Sequence, residues 1–465
     1  MSATTTQTSQ KVNDEAFGER LSNGRLKSEY YEPIPPDHFL PKPGDQILDI
    51  GIIGSGIAGL AAAIGLIQSG HNVELYERSG FSNEIGAAIN MCPNATRVLS
   101  FFQFNFERPK PTTAEEMRFI DGSTLEMRRR MIAPDFRKIY GAPYLLYHRA
   151  DLHTELKKTA TKPRPRLSKV AKINLLSEVT KLDLDGHITL SDGRQIKKDL
   201  IVVADGVRSK FAADVVGSEE NIKALPSGTM CYRFLVPTQK LLDDPQTRHL
   251  YNTERFTMQI AAIDGERLVW YPCRSGDVQN FGFFVKDSIV GFEDEAWNIP
   301  TTKEAFMKAV GGLHPDLQAV CEKADDLKLW RLCSRTKPIP RLTRGRVVLI
   351  GDAAHPMLPH QGQGGGMAIE DGAALGVLLS NLRSKEQITN RLQLFHDLRI
   401  KRVSAMVIFS SVGQDEHTKI SDLARPHVDG PLPTNPQQYH DFNFTPNVIR
   451  DAMEILDKHR TSGRL

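Results

Sequence analysis

The chain is poor in the residues that would commit it to a metal, a disulfide framework or a nucleic acid. Its 465 residues hold only five cysteines, Cys92, Cys231, Cys273, Cys321 and Cys333, and no two are spaced C-x-x-C. That scatter excludes a zinc ribbon and a disulfide scaffold, and it fits a reducing compartment. Neither sign of charge dominates: 59 Lys and Arg stand against 56 Asp and Glu, a net charge of +3, too weak for a nucleic-acid surface. The densest basic patch, "MRRRM" at 127–131, reads as a solvated hairpin edge. A G-x-S-x-G elbow is missing, so a Ser-His-Asp hydrolase is unsupported. His355 and His360 are separated by Pro356 and Pro359, and no Cys or carboxylate pair completes a ligand set, so no metal is expected.

Targeting signals are also sparse. Residues 1–46 are mostly polar, so no signal peptide is expected, and Pro33, Pro35, Pro36, Pro41 and Pro43 mark 1–45 as a disordered or clamped N-terminal extension. The final "GRL" resembles a peroxisomal tripeptide only loosely. A cytoplasmic location is expected. One apolar run is long enough to span a membrane: "IGIIGSGIAGLAAAIGLIQS", residues 50–69, carries no charge. Its five glycines and strand-like start read instead as a buried strand, turn and helix.

That run opens a nucleotide signal. An apolar strand from Ile47 to Ile53 leads into G-x-G-x-x-G at Gly54, Gly56 and Gly59, a helix follows, and a second strand ends on Glu77, with Arg78 beside it. The glycines allow a tight turn, close approach to a pyrophosphate and helix–strand packing, while an acid at Glu77 can hold ribose hydroxyls. The helix start offers free N–H groups to phosphate. Two further strand-to-turn junctions follow, "LIVVADG" into Asp205-Gly206 and "VVLIGDAAHP" into Gly351-Asp352. A nicotinamide domain has no need of another such junction so far downstream, whereas the longer FAD does.

Together, G-x-G-x-x-G, "ADG" and "GDAAHPMLPHQGQGGGMAIEDG" resemble the FAD-dependent aromatic hydroxylases, the single-component flavoprotein monooxygenases. The likeness spans about 47–415 and is nearest to salicylate-hydroxylase-like enzymes, including the fungal phenol-dearomatising hydroxylases. It implies an α/β fold: a Rossmann-like FAD-binding domain, an inserted antiparallel substrate sheet and C-terminal helices. It also implies that Asp352 binds the ribityl chain, that Asp205 lies at the pyrophosphate and touches NAD(P)H, and that Arg149 in "YHRADLHTEL" reaches FAD. "IGAAIN" resembles the loop beside the flavin, which brings in Gly86 and Ala87. Gly362, Gly364, Gly365 and Gly366 make a turn into a helix whose positive end would face the reduced flavin, the absent side chains clearing its approach.

Between 227 and 335 the pattern changes to β-rich runs about the hairpin signal Asp264-Gly265. The expected division is 1–45 extension, 46–226 FAD-binding domain, 227–335 substrate sheet, 336–390 return to the FAD-binding domain and 391–465 C-terminal helices. Arg233 and Tyr271 lie on strands similar to those that hold the substrate phenolate in the dearomatising enzymes. A guanidinium would lower a phenol's pKa of ~10 by ~1–3 units; the blander reading is an edge-strand cation and a core aromatic. His355 is expected to be structural, His360 to face flavin or substrate.

The expected activity is hydroxylation of a phenolic substrate with NAD(P)H and O2 through a flavin C4a-hydroperoxide, in secondary metabolism, with dearomatisation or decarboxylation open. No second G-x-G-x-x-G occurs for NAD(P)H, and the protein is expected as monomer or homodimer. The alternatives are another FAD-binding oxidoreductase, such as an epoxidase or dehydrogenase, and a non-catalytic flavin redox sensor.

Overall fold

The uncharged run folds as the strand Asp49–Ile53 and the helix Ile57–Gln68. Every residue from Ala58 to Gln68 is buried, so this helix is apolar all round because it is packed all round. Among the described residues no helix is long and apolar enough to cross a membrane. The computed structural model describes residues 30–80, 87–163, 168–220, 222–251, 254–287, 298–335, 337–412 and 418–461. Gly86 and residues 1–29 of the expected extension therefore lie outside the described residues.

Asp49–Ile53 is central in a six-stranded sheet. It pairs in parallel with Asn72–Tyr76 and with Leu200–Val203, and the latter pairs in parallel with Val347–Leu349. Ile53 sits opposite Val203, and Val203 opposite Leu349. The three expected junctions thus leave the carboxyl ends of adjacent strands, where open α/β sheets bind their ligands. Behind them, the helix Gly364–Leu378 lies against Ile57–Gln68. A Cβ on Gly372 would stand 2.6 Å from the Ala62 amide nitrogen, so this crossing requires bare backbone.

The second sheet has eight strands, in the order Asn298–Ile299, Asp325–Ser334, Leu225–Pro237, Val278–Lys286, Glu266–Cys273, Thr257–Ile263, Glu116–Asp121 and Met127–Ile132. The last two come from outside the expected 227–335 segment. Glu116–Asp121 joins because it pairs in parallel with Thr257–Ile263. The "MRRRM" run is its exposed outer edge, where Arg130 reaches back to the buried Glu116 carboxylate at 2.5 Å. Alternation packs Tyr232, Phe234, Leu268, Trp270, Phe281 and Phe283 against Phe306, Val310 and Leu317 of two short helices. The opposite face turns to the FAD-binding part, and Arg274 bolts the two together through a bidentate pair with Asp151, at 2.6 and 2.9 Å.

The long helix Ile388–Phe409 and the helices Pro436–Phe444 and Val448–Thr461 close the molecule. The described end of the extension is clamped onto them. Tyr30 donates to Asp451 at 3.0 Å and accepts the Asn447 amide at 2.8 Å, and Arg97 lies 4.6 Å over the Tyr31 ring.

Candidate active site

The glycine turn needs its glycines for different reasons. Gly54 has φ +94, and a Cβ there would stand 2.5 Å from the Ala204 carbonyl oxygen; one on Gly59 would strike the Gly54 carbonyl. Gly56 meets nothing within 4 Å. It is the N-cap of Ile57–Gln68 and supplies no capping side chain, so first-turn amides remain for an anion lying over it. Glu77 stands beside the turn, accepting the Ser55 amide at 2.9 Å and the Ser79 amide at 2.8 Å. Arg78 is exposed, and its charge reaches Asp205. His153, which sequence reasoning missed, donates from Nε2 to the Ser55 carbonyl at 2.7 Å; it belongs to the same "RADLHTEL" helix as Arg149.

The second junction presents Asp205. One carboxylate oxygen accepts the Lys210 amide at 2.9 Å, while Oδ1, like Oγ of Ser55, is buried without a partner. Burial raises the Asp205 carboxyl, against hydrogen bonds from Ser209 and Lys210 and the Arg78 charge. Orphaned polar atoms, open space over Gly56 and free helix amides in one groove suit a ligand rich in phosphate and hydroxyl oxygens, so the residues present fit the adenine and pyrophosphate half of FAD.

Asp352 marks the third junction. Its side chain meets solvent along the groove and is walled by protein elsewhere; those walls raise its carboxyl, opposed by the charges of His355, Arg149 and Arg335. Arg149 opens the helix Arg149–Thr161, with its amide on the Ala87 carbonyl at 2.8 Å. Ala87 itself is buried. Arg335 was not foreseen: it is buried and donates to the carbonyls of Ile222, Ala353 and Ala354, which lie 2.6, 2.9 and 2.5 Å away.

The glycine-rich turn runs into the helix Gly364–Leu378. Gly362 has φ +62 and abuts Asn90. The three glycines after it do not all clear space for the cofactor, as the sequence suggests. A Cβ on Gly364 would meet only Met357, at 3.7 Å, whereas on Gly365 it would stand 2.8 Å from Met91 and on Gly366 3.3 Å from Asn94. The last two are small so that the helix can pack, and their amides still form its N-terminal end. Further along this helix Asp371 accepts His355 Nε2–H at 2.6 Å, the Gly351 amide at 3.0 Å and Arg399 at 2.9 Å. Glu370 binds Arg399, Arg402 and Asn94. Burial alone would raise Glu370, but Arg402 and Arg399 outweigh it and hold it at about 2.

Over this turn lies the free face of the eight-stranded sheet. Arg233 and Tyr271 are two strands apart on it, and the structure brings them together: burial raises the Tyr271 hydroxyl well above 10 while the Arg233 charge opposes it. The neutral hydroxyl donates to the Ala88 carbonyl at 3.3 Å, and Asn280 accepts the Ala88 amide at 2.9 Å. His360 meets the same face, its Nδ1 accepting from Arg267 at 2.8 Å. A separate groove lies on the sheet's other face, lined by Thr238, Tyr251, Arg255 and Gln279. Among the described residues no group of three or more His, Cys, Asp or Glu could hold a metal.

Known proteins carry the same pattern. Residues 179–410 match the family described as FAD binding domain, and 48–231 match pyridine nucleotide-disulphide oxidoreductase. The FAD-dependent monooxygenase phomE' of Diaporthe leptostromiformis is 36% identical over 82% of this chain and 96% of its own. Hispidin-3-hydroxylase of Neonothopanus nambi is 33% identical over 77% of this chain and 86% of its own. A solved salicylate hydroxylase substrate complex shares the fold, with a TM-score of 0.67 at 24% identity over 88% of this chain and 98% of that one. With the strand junctions, the glycine turn and these relatives in agreement, the chain belongs to the FAD-dependent monooxygenases of the aromatic-hydroxylase type.

Proposed function

We propose that this enzyme hydroxylates a phenolic compound seated between the sheet and the glycine-rich turn, with NAD(P)H as reductant. The observation that carries the reading is Arg233: it faces that space from mid-strand and, among the described residues, has no carboxylate partner. A cation without an acid beside it is placed to hold an anion. That one relative is named a hispidin-3-hydroxylase supports a hydroxylation.

Gly54, Gly56, Gly59, Glu77 and Arg78 would hold the adenine and pyrophosphate half of FAD, with Asp205 at the pyrophosphate, and Asp352 would hold the ribityl chain, with Arg149 alongside. Ala87 and the amides of Gly362 and Gly364–Gly366 would border the flavin ring. When bound, FAD would supply the redox chemistry that couples oxidation of NAD(P)H to insertion of one atom of O2 into the ring, the other atom leaving as water. The protein's share is electrostatic and steric. Arg233 lowers the substrate hydroxyl's pKa and so raises the electron density of the ring. Tyr271, neutral and tied to Ala88, borders the ring, and the sheet excludes water from the reacting face.

NAD(P)H- and substrate-dependent oxygen uptake with FAD and a panel of phenols tests this reading. If no phenol stimulates uptake, it fails. Formation of H2O2 with every phenol and no hydroxylated product would instead favour a flavin dehydrogenase or sensor.

A further inference from the structure

Nine residues of the substrate-side sheet form a square patch around a residue without a side chain. Cys231, Arg233 and Leu235 stand opposite Phe284, Gly282 and Asn280 on the next strand. These in turn stand opposite Arg267, Val269 and Tyr271. Gly282 leaves the centre of the patch low, and two guanidiniums flank it, Arg233 in its own row and Arg267 one row further along. Their charges both act on the buried thiol of Cys231, so they converge on one side of the patch.

Two features separate Arg267 from an ordinary strand cation. Among the described residues it has no carboxylate partner; it stacks 5.5 Å over Phe284 and donates to a neutral imidazole nitrogen, Nδ1 of His360. His360 belongs to the glycine-rich turn, so this bond ties the sheet to the turn that faces it. A cation bonds an ionised oxygen about twice as strongly as a neutral acceptor. Nδ1 of His360 is therefore an acceptor that an anion displaces. Strand spacing and residue rise put the Cα atoms of Arg233 and Arg267 about 12 Å apart. Both side chains rise from one face and act on the same thiol, so their guanidiniums stand closer together than the Cα atoms, within reach of two oxygens on one small aromatic molecule.

We propose that Arg267 reads a second acidic oxygen of the substrate, a carboxylate or an acidic enol, and that His360 holds its guanidinium in place until that oxygen arrives. This rests on the phenol-hydroxylation reading, which makes the patch the substrate's seat. Arg233 then takes the phenolate and Arg267 sets which phenols are accepted.

The test is titration of the FAD-loaded enzyme with 2,4-dihydroxybenzoate and with its methyl ester, followed by the flavin absorbance change. Wild type is expected to bind the acid about tenfold or more tighter than the ester. Arg267→Met should bring that ratio near one by weakening the acid alone. Arg233→Met should weaken both ligands, and His360→Ala should keep the preference for the acid. A wild-type ratio near one overturns the proposal without any variant, as does an Arg267→Met protein that weakens acid and ester equally. If both compounds are hydroxylated with equal affinity, this inference falls and the hydroxylase reading stands. If neither perturbs the flavin and no phenol stimulates oxygen uptake, both fall.

Discussion

His355 donates from Nε2 to Oδ2 of Asp371 at 2.6 Å, and the same oxygen accepts the Gly351 amide at 3.0 Å. The turn that presents Asp352 is thus held from behind by an acid on the following helix, and that acid is locked in turn by Arg399. Arg399→Met would leave Asp371 and Glu370 short of a cation in a dry interior. A loss of ~3–5 kcal/mol in urea unfolding is expected, with weaker FAD retention. A loss below ~1 kcal/mol would show that the network does not brace the turn.

Two glycine variants separate cofactor contact from folding. In Gly54→Ala the new methyl collides with Ala204 at a left-handed residue, so both melting temperature and FAD content should fall. In Gly56→Ala the methyl points into open space; the apoprotein should melt as wild type while FAD binds about tenfold or more weakly. Equal FAD affinity in Gly56→Ala and wild type would remove the pyrophosphate from that position.

Arg233→Met tests the phenolate clamp through its pH profile. Without the guanidinium the substrate phenol should ionise ~1–3 units higher. At pH 8 kcat/KM is expected to fall ~10- to 1000-fold and to recover as pH rises toward the phenol's ordinary pKa of ~10. A uniform loss at every pH would assign Arg233 to packing instead. Tyr271→Phe, which removes only the 3.3 Å bond to Ala88, should not shift the profile.

Asp451 makes stability pH-dependent in an unusual direction. Burial raises its carboxyl to about 6, with the Tyr30 hydrogen bond pulling it down less strongly. A folded-state pKa above the unfolded one favours folding at low pH, and that contribution is lost as pH rises through about 6. Asp451→Asn, neutral throughout, should therefore be more stable than wild type by ~1–2 kcal/mol at pH 8. The gap should shrink between pH 6 and pH 4. Thermal melts at pH 5 and pH 8 decide, and a gap of equal size at both would refute the shift.

Local patterns made the strand junctions legible, because each is an apolar run ending on Gly or Asp: Ile53 into Gly54, Val203 into Ala204-Asp205, Leu349 into Gly351-Asp352. The Asp264-Gly265 hairpin was equally plain. What pairs across long separations was not. Glu116–Asp121 joins a sheet more than a hundred residues away because its face fits Thr257–Ile263, and nothing within either strand announces that. Nothing in the sequence singles out Arg267, since its meaning depends on its bond to His360 of the glycine-rich turn. Arg335 and His153 act through backbone carbonyls, which leave no trace in residue types. The charged pair Glu370-Asp371 inside an apolar helix was the one visible clue to the buried network.

The order in which the strands are made has a consequence for the newborn chain. The parallel sheet that lines the nucleotide groove gains its Val347–Leu349 strand only after the whole antiparallel sheet has been translated. A ribosome-bound fragment that ends before Leu349 therefore carries the glycine turn without the strand that delivers Asp352. With Asp352 as the proposed ribityl ligand, capture of the cofactor during synthesis would have to wait for that late segment, and until then the apolar edge of Leu200–Val203 is exposed to chaperones and to other nascent chains.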